Sequence, residues 1–409
     1  MGDLIAKLGP SASDPSGSLV KRSLEAVRAH LGMDVAYVSE IVGDGSVFRE
    51  VDAPGLEHLA KPGDVRSLEE VYCRHILEGR IPELIPDTAA VPLAAAMPIT
   101  RAVPIGSHVS VPIRRDNGEI YGMFCCLSAT PRESLNERDL HIVRAFAGLV
   151  AEEIGRDAAD KAARAAKLAA VREAFRPGAL AIYLQPICDM LTGDPVGYES
   201  LSRFSVGPVR SPDRWFADAA EVGLGLELEC AAIEAAAALL PSLPEPLYLS
   251  VNAAPATVAS GALDALLDCA RPHRLVLEVT EHSHVDDYDA LCGPLARLRD
   301  RGVRLAVDDA GAGFAGLQHI LRLRPDLIKL DMALIRDIDA DPARRALASA
   351  MQSFARQTGA RLVAEGVETE SERKALTALG FRFGQGYLFG RPAPHEQVVG
   401  PRPDARAVA

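Results

Sequence analysis

The larger part of this chain is predicted to be an α/β domain, a (β/α)₈ TIM-like barrel, and three observations support the prediction. Eight short apolar runs follow one another between residues 181 and 385. Each run ends in a polar residue, and most are separated by segments with helical character. This alternation is typical of a barrel whose strand ends line one active-site face.

The elements of the barrel, assigned to residues 176–396, are predicted in chain order. The predicted strands are 181–185, 196–199, 248–252, 275–278, 305–308, 327–329, 362–365 and 381–385. The helical segments between them are 213–241, 255–271, 285–301, 333–358 and 369–379. A short tail, 397–409, follows the barrel.

Four carboxylates stand at the ends of different predicted strands: Glu199, Glu278, Asp308 and Glu365. Taken singly, each is explained as a cap of the next helix or as a solvated residue. Gathered on one face of a barrel, they would repel one another unless cations were bound. Clusters of oxygen ligands suit Mg²⁺ or Mn²⁺ rather than zinc.

Seven stretches carry a family resemblance. They are 198–203 (YESLSR), 250–252 (SVN), 277–281 (LEVTE), 308–309 (DD), 328–331 (IKLD), 364–368 (AEGVE) and 385–392 (QGYLFGRP). In this order they resemble the EAL family of cyclic di-GMP phosphodiesterases over about residues 170–396. The resemblance implies hydrolysis of cyclic di-GMP to linear pGpG, in a barrel with an atypical first strand.

The resemblance also implies two divalent metal ions in one site. The implied ligands of the first ion are Glu199, Asn252, Glu278 and Asp308. Asp309 would hold the second ion, Glu365 is a further candidate for it, and Asp308 would bridge the two. The catalytic residues implied by the match are Glu199, Asp308, Lys329 and Glu365.

Further residues match positions that bind the nucleotide or support the site in this family. The nucleotide-binding positions are Gln185, Arg203, Asp331 and Gln385, and the residues implied to support neighbouring loops are Glu281 and Glu368. Two positions depart from the family pattern. Ser200 replaces an alanine, a small change that we expect to be tolerated, and Ala310 replaces a phenylalanine in the loop that follows the Asp pair. The change at Ala310 bears more on the expected rate of turnover than on the identity of the metal ligands.

The N-terminal part is predicted to be an α+β domain at 18–156, after a flexible lead-in at 1–17. An antiparallel sheet with helices on one side is expected, with helices at 19–32 and 67–79 and strands at 35–42, 46–52, 107–114 and 119–128. Asp116-Asn117-Gly118 is a strong hairpin turn. The stretches 72–74, 85–87 and 111–122 resemble the GAF family, which implies an input by a small molecule or protein that the sequence does not identify. Cys73 is interpreted as a core residue.

A helix is predicted over 137–175, and its part at 157–175 is assigned to a signalling linker. Apolar residues recur along it at mostly three- and four-residue steps: Leu140, Val143, Phe146, Leu149, Val150, Ile154, Ala158, Ala162 and Ala165. This spacing suits pairing with a second copy, so a homodimer is expected. The alternative is a solvated, rigid spacer.

Composition excludes several classes of protein. A formal net charge of −12 argues against broad nucleic-acid binding, because such surfaces need basic patches. No apolar run is long enough for membrane insertion and no signal sequence is recognised, so a cytoplasmic location is expected. The seven cysteines include no CxxC pair and are interpreted as free thiols.

The sequence therefore predicts a GAF-like sensor, a signalling helix and a metal-dependent cyclic di-GMP phosphodiesterase, with no accompanying cyclase domain. The alternative is a catalytically weak or inactive cyclic di-GMP receptor that passes the signal to a protein partner. Retention of every matched ligand position favours the enzyme. A third interpretation, a barrel that serves only as a scaffold, would predict degenerate strand ends, which are not found.

Overall fold

The computed structural model describes residues 18–267, 271–280, 288–310 and 315–399. The chain divides into two compact units, Met1–Ala163 and Arg164–Ala409. The predicted lead-in 1–17 lies outside the described residues, as does the part of the predicted tail from residue 400. The finer division into five segments remains a prediction.

The first unit contains a six-stranded antiparallel sheet in the order β3-β2-β1-β6-β5-β4. Its strands are β1 (Val35–Val42), β2 (Gly45–Asp52), β3 (Val65–Ser67), β4 (Leu84–Ile85), β5 (Ser107–Arg114) and β6 (Ile120–Ser128). The predicted hairpin between β5 and β6 is confirmed, and Gly118 in its turn has φ 83°. Such a positive φ favours glycine because it has no Cβ.

Helices cover this sheet on both faces, so the expectation of helices on one side was wrong. The helices are α1 (Leu19–Leu31), α2 (Tyr72–Leu77), α3 (Pro92–Ala96) and α4 (Pro98–Ala102). One hydrophobic core lies under α1, and a second lies on the other face under α2. The predicted helix 67–79 is also too long, because Ser67 pairs with Gly45 as the last residue of β3.

The long helix is confirmed as α5, Glu137–Glu173, which runs for 37 residues. The first half of its apolar stripe packs into the core of its own sensor domain, where Leu140, Val143, Phe146 and Val150 are buried. Farther along, the alanines of the stripe are exposed.

Among the described residues, no helix combines the length and hydrophobicity that crossing a membrane would require.

The second unit contains the predicted eight-stranded barrel. Its strands are β7 (Leu180–Asp189), β8 (Pro195–Phe204), β9 (Tyr248–Ala253), β10 (Leu275–Thr280), β11 (Arg304–Ala310), β12 (Leu327–Leu330), β13 (Arg361–Ala364) and β14 (Phe383–Gln385). Strands β8 to β14 pair in parallel in chain order. Strand β7 closes the barrel by pairing antiparallel with both β8 and β14, which is the implied atypical first strand. A short strand, β15 (Ala393–Pro394), adds to β7 outside the ring.

Three of the predicted helical segments around the barrel, 213–241, 255–271 and 333–358, are each divided into two helices. The helices are α6 (Pro212–Val222), α7 (Gly225–Ala237), α8 (Pro255–Ala259), α9 (Leu263–Leu266), α10 (Tyr288–Asp300), α11 (Ala315–Leu323), α12 (Met332–Ile335), α13 (Pro342–Thr358), α14 (Glu370–Ala378) and α15 (His395–Val399). The predicted segment 213–241 breaks because Gly223, with φ 84°, ends α6 in the left-handed conformation.

The barrel interior is layered because residues two apart on a strand face the same side. One layer is an apolar plug of Ile187, Tyr248, Val276, Ala306, Leu327 and Val363. Two residues farther along three of these strands stand Glu278, Asp308 and Lys329. The plug therefore forms the floor on which the polar strand ends rest.

Gly386 is needed at the end of β14 because any Cβ there would lie 2.2 Å from the carbonyl oxygen of Val367. We expect Gly386→Ala to lower the free energy of unfolding of the barrel by about 1–3 kcal/mol or more. The matched control is Gly293→Ala, since a Cβ on Gly293 of α10 meets nothing within 4 Å. Denaturant unfolding would check both variants. Equal stability of the two would contradict the packing of this turn.

Candidate active site

Every strand of the barrel contributes one predicted site residue to the same end. These residues are Gln185 on β7, Glu199 on β8, Asn252 on β9, Glu278 on β10, Asp308 on β11, Lys329 on β12, Glu365 directly after β13 and Gln385 on β14. The strand register aligns them, since Glu278 is paired with Asn252 in a parallel ladder and Gln185 with Glu199 in an antiparallel one. The structure thus gathers residues that are up to 200 positions apart in the chain.

Lys329 lies at the centre of this ring and is only 2% exposed. Its Nζ lies 2.7 Å from Glu365 Oε1, 2.9 Å from Glu278 Oε2, 3.0 Å from Asp308 Oδ1 and 3.4 Å from Glu199 Oε2. One ammonium group therefore contacts all four strand-end carboxylates. A buried cation of this kind requires such partners, because burial of an isolated charge is costly.

The pKa values of Glu278, Glu365 and Lys329 in the ring are all raised, but for different reasons. Burial, together with the nearby charges of Glu199 and Asp308, raises the pKa of Glu278 to about 8 against the attraction of Lys329. Burial also raises the pKa of Glu365 well above its usual range. For Lys329, burial lowers the pKa, but the carboxylates outweigh burial and hold the pKa well above its ordinary value. The ring is thus a strongly interacting set of acids around one cation.

Three side-chain amides orient Glu199. Asn252 donates from Nδ2 to Glu199 Oε1 at 3.1 Å, and Gln385 donates from Nε2 to Glu199 Oε2 at 2.5 Å. The same Gln385 nitrogen lies 3.2 Å from Gln185 Oε1, and Gln185 in turn donates to the carbonyl of Gly390. These hydrogen bonds hold the carboxylate of Glu199, the acidic residue in the first of the stretches that resemble the family.

The adjacent carboxylates Asp308 and Asp309 diverge at the end of β11. Asp309 has φ 54°, a left-handed conformation that non-glycine residues rarely adopt. Two groups of three carboxylates result, each with oxygens within 4.8 Å of one another: Glu199, Glu278 and Asp308, and Asp308, Asp309 and Glu365. Asp308 belongs to both groups. Each group offers oxygen ligands of the kind that Mg²⁺ and Mn²⁺ prefer.

Two predicted residues, Asp331 and Glu368, make their recorded contacts away from the ring. Asp331 follows β12, and its carboxylate accepts a hydrogen bond from Ala333 N at 2.7 Å as the N-cap of α12. Glu368 is exposed and lies 3.4 Å from Arg336. Glu281 lies outside the described residues. The structure thus records Asp331 as a helix cap. Capping was the alternative interpretation of each single strand-end carboxylate.

An open cleft of about 800 Å³ lies beside the ring. Arg203 on β8 lines it, together with Glu199, Asn252, Asp308 and Asp309. Part of the lining was not predicted and comes from two helices: Asp213, Phe216 and Ala217 on α6, and Glu229, Ala232 and Ile233 on α7. A search for strand-end residues could not find them. The only signal was their spacing on one helical face.

The two departures from the family pattern fit their surroundings differently. Ser200 donates its hydroxyl to the carbonyl of Ser250 at 2.8 Å, so the added oxygen has a partner in the barrel wall. Ala310 is buried at the end of β11. The loop that begins after it, 311–314, lies outside the described residues.

The EAL domain family model matches residues 168–392. This chain belongs to the EAL domain family. The GAF domain model matches residues 15–154, so the sensor that precedes the EAL domain is a GAF domain. Both predicted resemblances are confirmed.

Relatives of known name support the assignment. A cyclic di-GMP phosphodiesterase of Pseudomonas aeruginosa, NbdA, is 31% identical over 236 residues, or 55% of this chain and 30% of that protein. A solved structure titled PaMucR phosphodiesterase in complex with c-di-GMP has a TM-score of 0.52 at 29% identity, over 57% of this chain and 99% of that chain. A Klebsiella pneumoniae BlrP1 complex with manganese and cyclic di-GMP has a TM-score of 0.50 at 32% identity, over 54% of this chain and 57% of that chain.

The coverage limits what these relatives say about the whole protein. The chain spans only 19% to 48% of the length of the curated relatives that it matches. The likeness concerns the EAL domain, and it confirms the predicted TIM-like barrel.

Removing the central ammonium group of the EAL domain leaves four carboxylates without their counter-charge. We expect Lys329→Met to lower the free energy of unfolding by roughly 3–5 kcal/mol in EDTA. Added Mg²⁺ should restore part of the loss, because a cation that binds only the native state stabilises it. Denaturant unfolding with and without Mg²⁺ would measure both effects.

The matched control is Lys374→Met, a change of the same chemistry at an exposed position of α14. It should leave stability within about 0.5 kcal/mol. A Lys329→Met protein as stable in EDTA as the control would show that the ring does not depend on the ammonium group.

Proposed function

We propose that this protein hydrolyses one phosphodiester bond of cyclic di-GMP to give linear pGpG, with Mg²⁺ or Mn²⁺ in the site and its GAF domain as the regulator. The observation that carries the proposal is the pair of carboxylate groups that share Asp308 beside an open cleft. The names of the relatives, cyclic di-GMP phosphodiesterases and complexes with cyclic di-GMP, support the choice of substrate.

The donor set fits two hard divalent cations. Glu199, Asn252, Glu278 and Asp308 offer only carboxylate and amide groups, and so do Asp308, Asp309 and Glu365. Neither set includes a thiol or an imidazole, which excludes the usual ligands of zinc. When bound, two such ions would lower the pKa of a water molecule and offset charge on the phosphate. The manganese complex of a relative supports this assignment.

The chain's own side chains would position the substrate. Arg203 stands at the wall of the cleft with its guanidinium 5.3 Å from the ring centre of Tyr183, and Nη1 donates to the carbonyl of Ser202. Its remaining N–H groups can donate to two oxygens of one phosphate, because the spacing of the guanidinium donors matches that of the oxygens. Gln385 on β14 donates to Glu199, and Gln185 on β7 accepts a hydrogen bond from Gln385. Asp331 remains a proposed nucleotide contact.

Lys329 would keep the carboxylates of the four strand ends together at close range. Its contacts with Glu278 and Glu365 are as short as charge-assisted hydrogen bonds. The apolar plug beneath it, with Val276 and Ala306 fully buried, excludes water from the floor. In the described part of the chain the site is therefore open toward the cleft, where the substrate would enter.

The test is conversion of cyclic di-GMP to pGpG by the full chain with Mg²⁺ or Mn²⁺. We expect Glu199→Gln to lower the turnover number at least about 100-fold, since loss of a direct metal ligand costs more than loss of its supporting groups. EDTA should abolish turnover. Glu234→Gln, at an exposed position of α7, is the matched control and should retain full turnover.

Binding of cyclic di-GMP by the unmodified protein without any conversion would overturn the phosphodiesterase and support the receptor. Equal turnover in Glu199→Gln and Glu234→Gln would overturn the assignment of the site.

We also propose that the protein acts as a homodimer through α5. Leu149, Ala158, Ala162 and Ala165 remain exposed along this helix. Light scattering should give twice the chain mass of 43.5 kDa. Ala162→Glu should reduce the dimer fraction, whereas Asp160→Lys, on the opposite side of the helix, should not. A mass of 43.5 kDa for the unmodified protein would contradict the proposal.

A reducing compartment such as the cytoplasm is proposed as the location. Among the described residues, no disulfide bond involves Cys73, Cys125, Cys126, Cys188, Cys230 or Cys292. Free thiols are typical of reducing compartments. The input of the GAF domain, a small molecule or a protein, is proposed without an identity.

A further inference from the structure

Helix α6 has two faces with different neighbours. Asp213, Phe216 and Ala217 line the cleft. Trp215 and Ala219 lie on another face and are fully buried. A helix brings residues three and four apart to one side, so these two sets cannot share a face. The helix is therefore a wall of the cleft whose back rests on other parts of the same unit.

The last turns of α5 form part of that support. Val171 of α5 and Ala174 just after it are buried in one cluster with Trp215, Ala219 and Leu228. Val171 and Trp215 are each 0% exposed. The end of the helix that leaves the GAF domain thus packs directly against the back of the cleft wall.

Charged contacts add to this packing. Lys167 Nζ lies 2.5 Å from Glu221 Oε2 and 3.8 Å from Asp218 Oδ1. Arg164 donates from Nη1 to the carbonyl of Glu221 at 2.8 Å. Asp218 is 4% exposed and also pairs with Arg210. These contacts fix where α6 lies along α5 and how α6 is rotated about its own axis. Apolar packing alone would define both less sharply.

The contact continues to the substrate-facing strand. The Trp215 ring lies 5.1 Å from that of Phe204, and Phe204 lies 5.9 Å from Phe216 in an edge-on arrangement. Phe204 follows Arg203 directly on β8. One packed set of rings therefore joins the end of α5 to the proposed phosphate-binding arginine and to the wall of the cleft.

We propose that Lys167 is a positioning residue for the substrate cleft, acting through α6, so that displacement of the end of α5 changes the affinity for substrate. The proposal rests on cyclic di-GMP being the substrate. It adds the route by which the regulator reaches the site. Lys167 is remote from the ring of carboxylates, so the chemical step itself should change little.

The experiment compares Lys167→Ala, Lys167→Arg and Arg172→Ala in the full chain. Arg172 is an exposed cation in the last turn of the same helix and serves as the matched control. Lys167→Ala should raise the KM for cyclic di-GMP about three- to tenfold with kcat within about twofold, as for a lost binding interaction. Lys167→Arg should restore the KM, because it keeps the charge at that position.

Amide hydrogen exchange gives a second readout that needs no substrate. Exchange in residues 212–222 should be faster in Lys167→Ala than in the unmodified protein, and unchanged in Arg172→Ala. Unchanged exchange and KM in Lys167→Ala would overturn the inference, and so would a fall in kcat alone. If the unmodified protein neither converts nor binds cyclic di-GMP, the proposed function fails. The exchange comparison alone then decides whether Lys167 positions α6.

Discussion

The buried ammonium group of Lys329 is the interaction on which the rest of the site depends. Four carboxylates from four different strands end within reach of one another, and without a cation at their centre they would repel. The parallel strands can converge because the ammonium group offsets part of this negative charge inside the barrel. The apolar plug beneath gives this charged layer a dry floor, which strengthens each of its electrostatic contacts.

Much of this arrangement could be predicted from the sequence, because the period of a strand and the position of its end are local properties. Glu199, Glu278 and Lys329 were found in this way. Asp331 and Glu368 follow strands too, yet their side chains turn to a helix N-terminus and to Arg336. Whether a side chain after a strand points into the site or toward another partner depends on the turn after the strand and on neighbours distant in sequence. Part of the cleft wall comes from the helices α6 and α7, where strand-end reasoning has no signal.

The long helix shows a different limit of sequence reasoning. A stripe of apolar residues establishes that one side of a helix is covered, but not by what. Leu140, Val143 and Phe146 are covered by the sheet of their own GAF domain. The exposed alanines farther along α5 form a separate surface, although they continue the same periodic pattern. The pattern alone does not distinguish the buried part of the helix from the exposed part. Only contacts with residues distant in the sequence do so.

The reversed first strand has a consequence for how the sensor is connected. In a barrel of eight parallel strands the chain would enter at the floor, and a signal would have to cross the length of a strand, about 17–20 Å, to reach the ligands. Here β7 begins beside Phe204, at the mouth, and runs down to Asp189. Turning one strand around brings the chain into the barrel at its working end, directly after the end of α5.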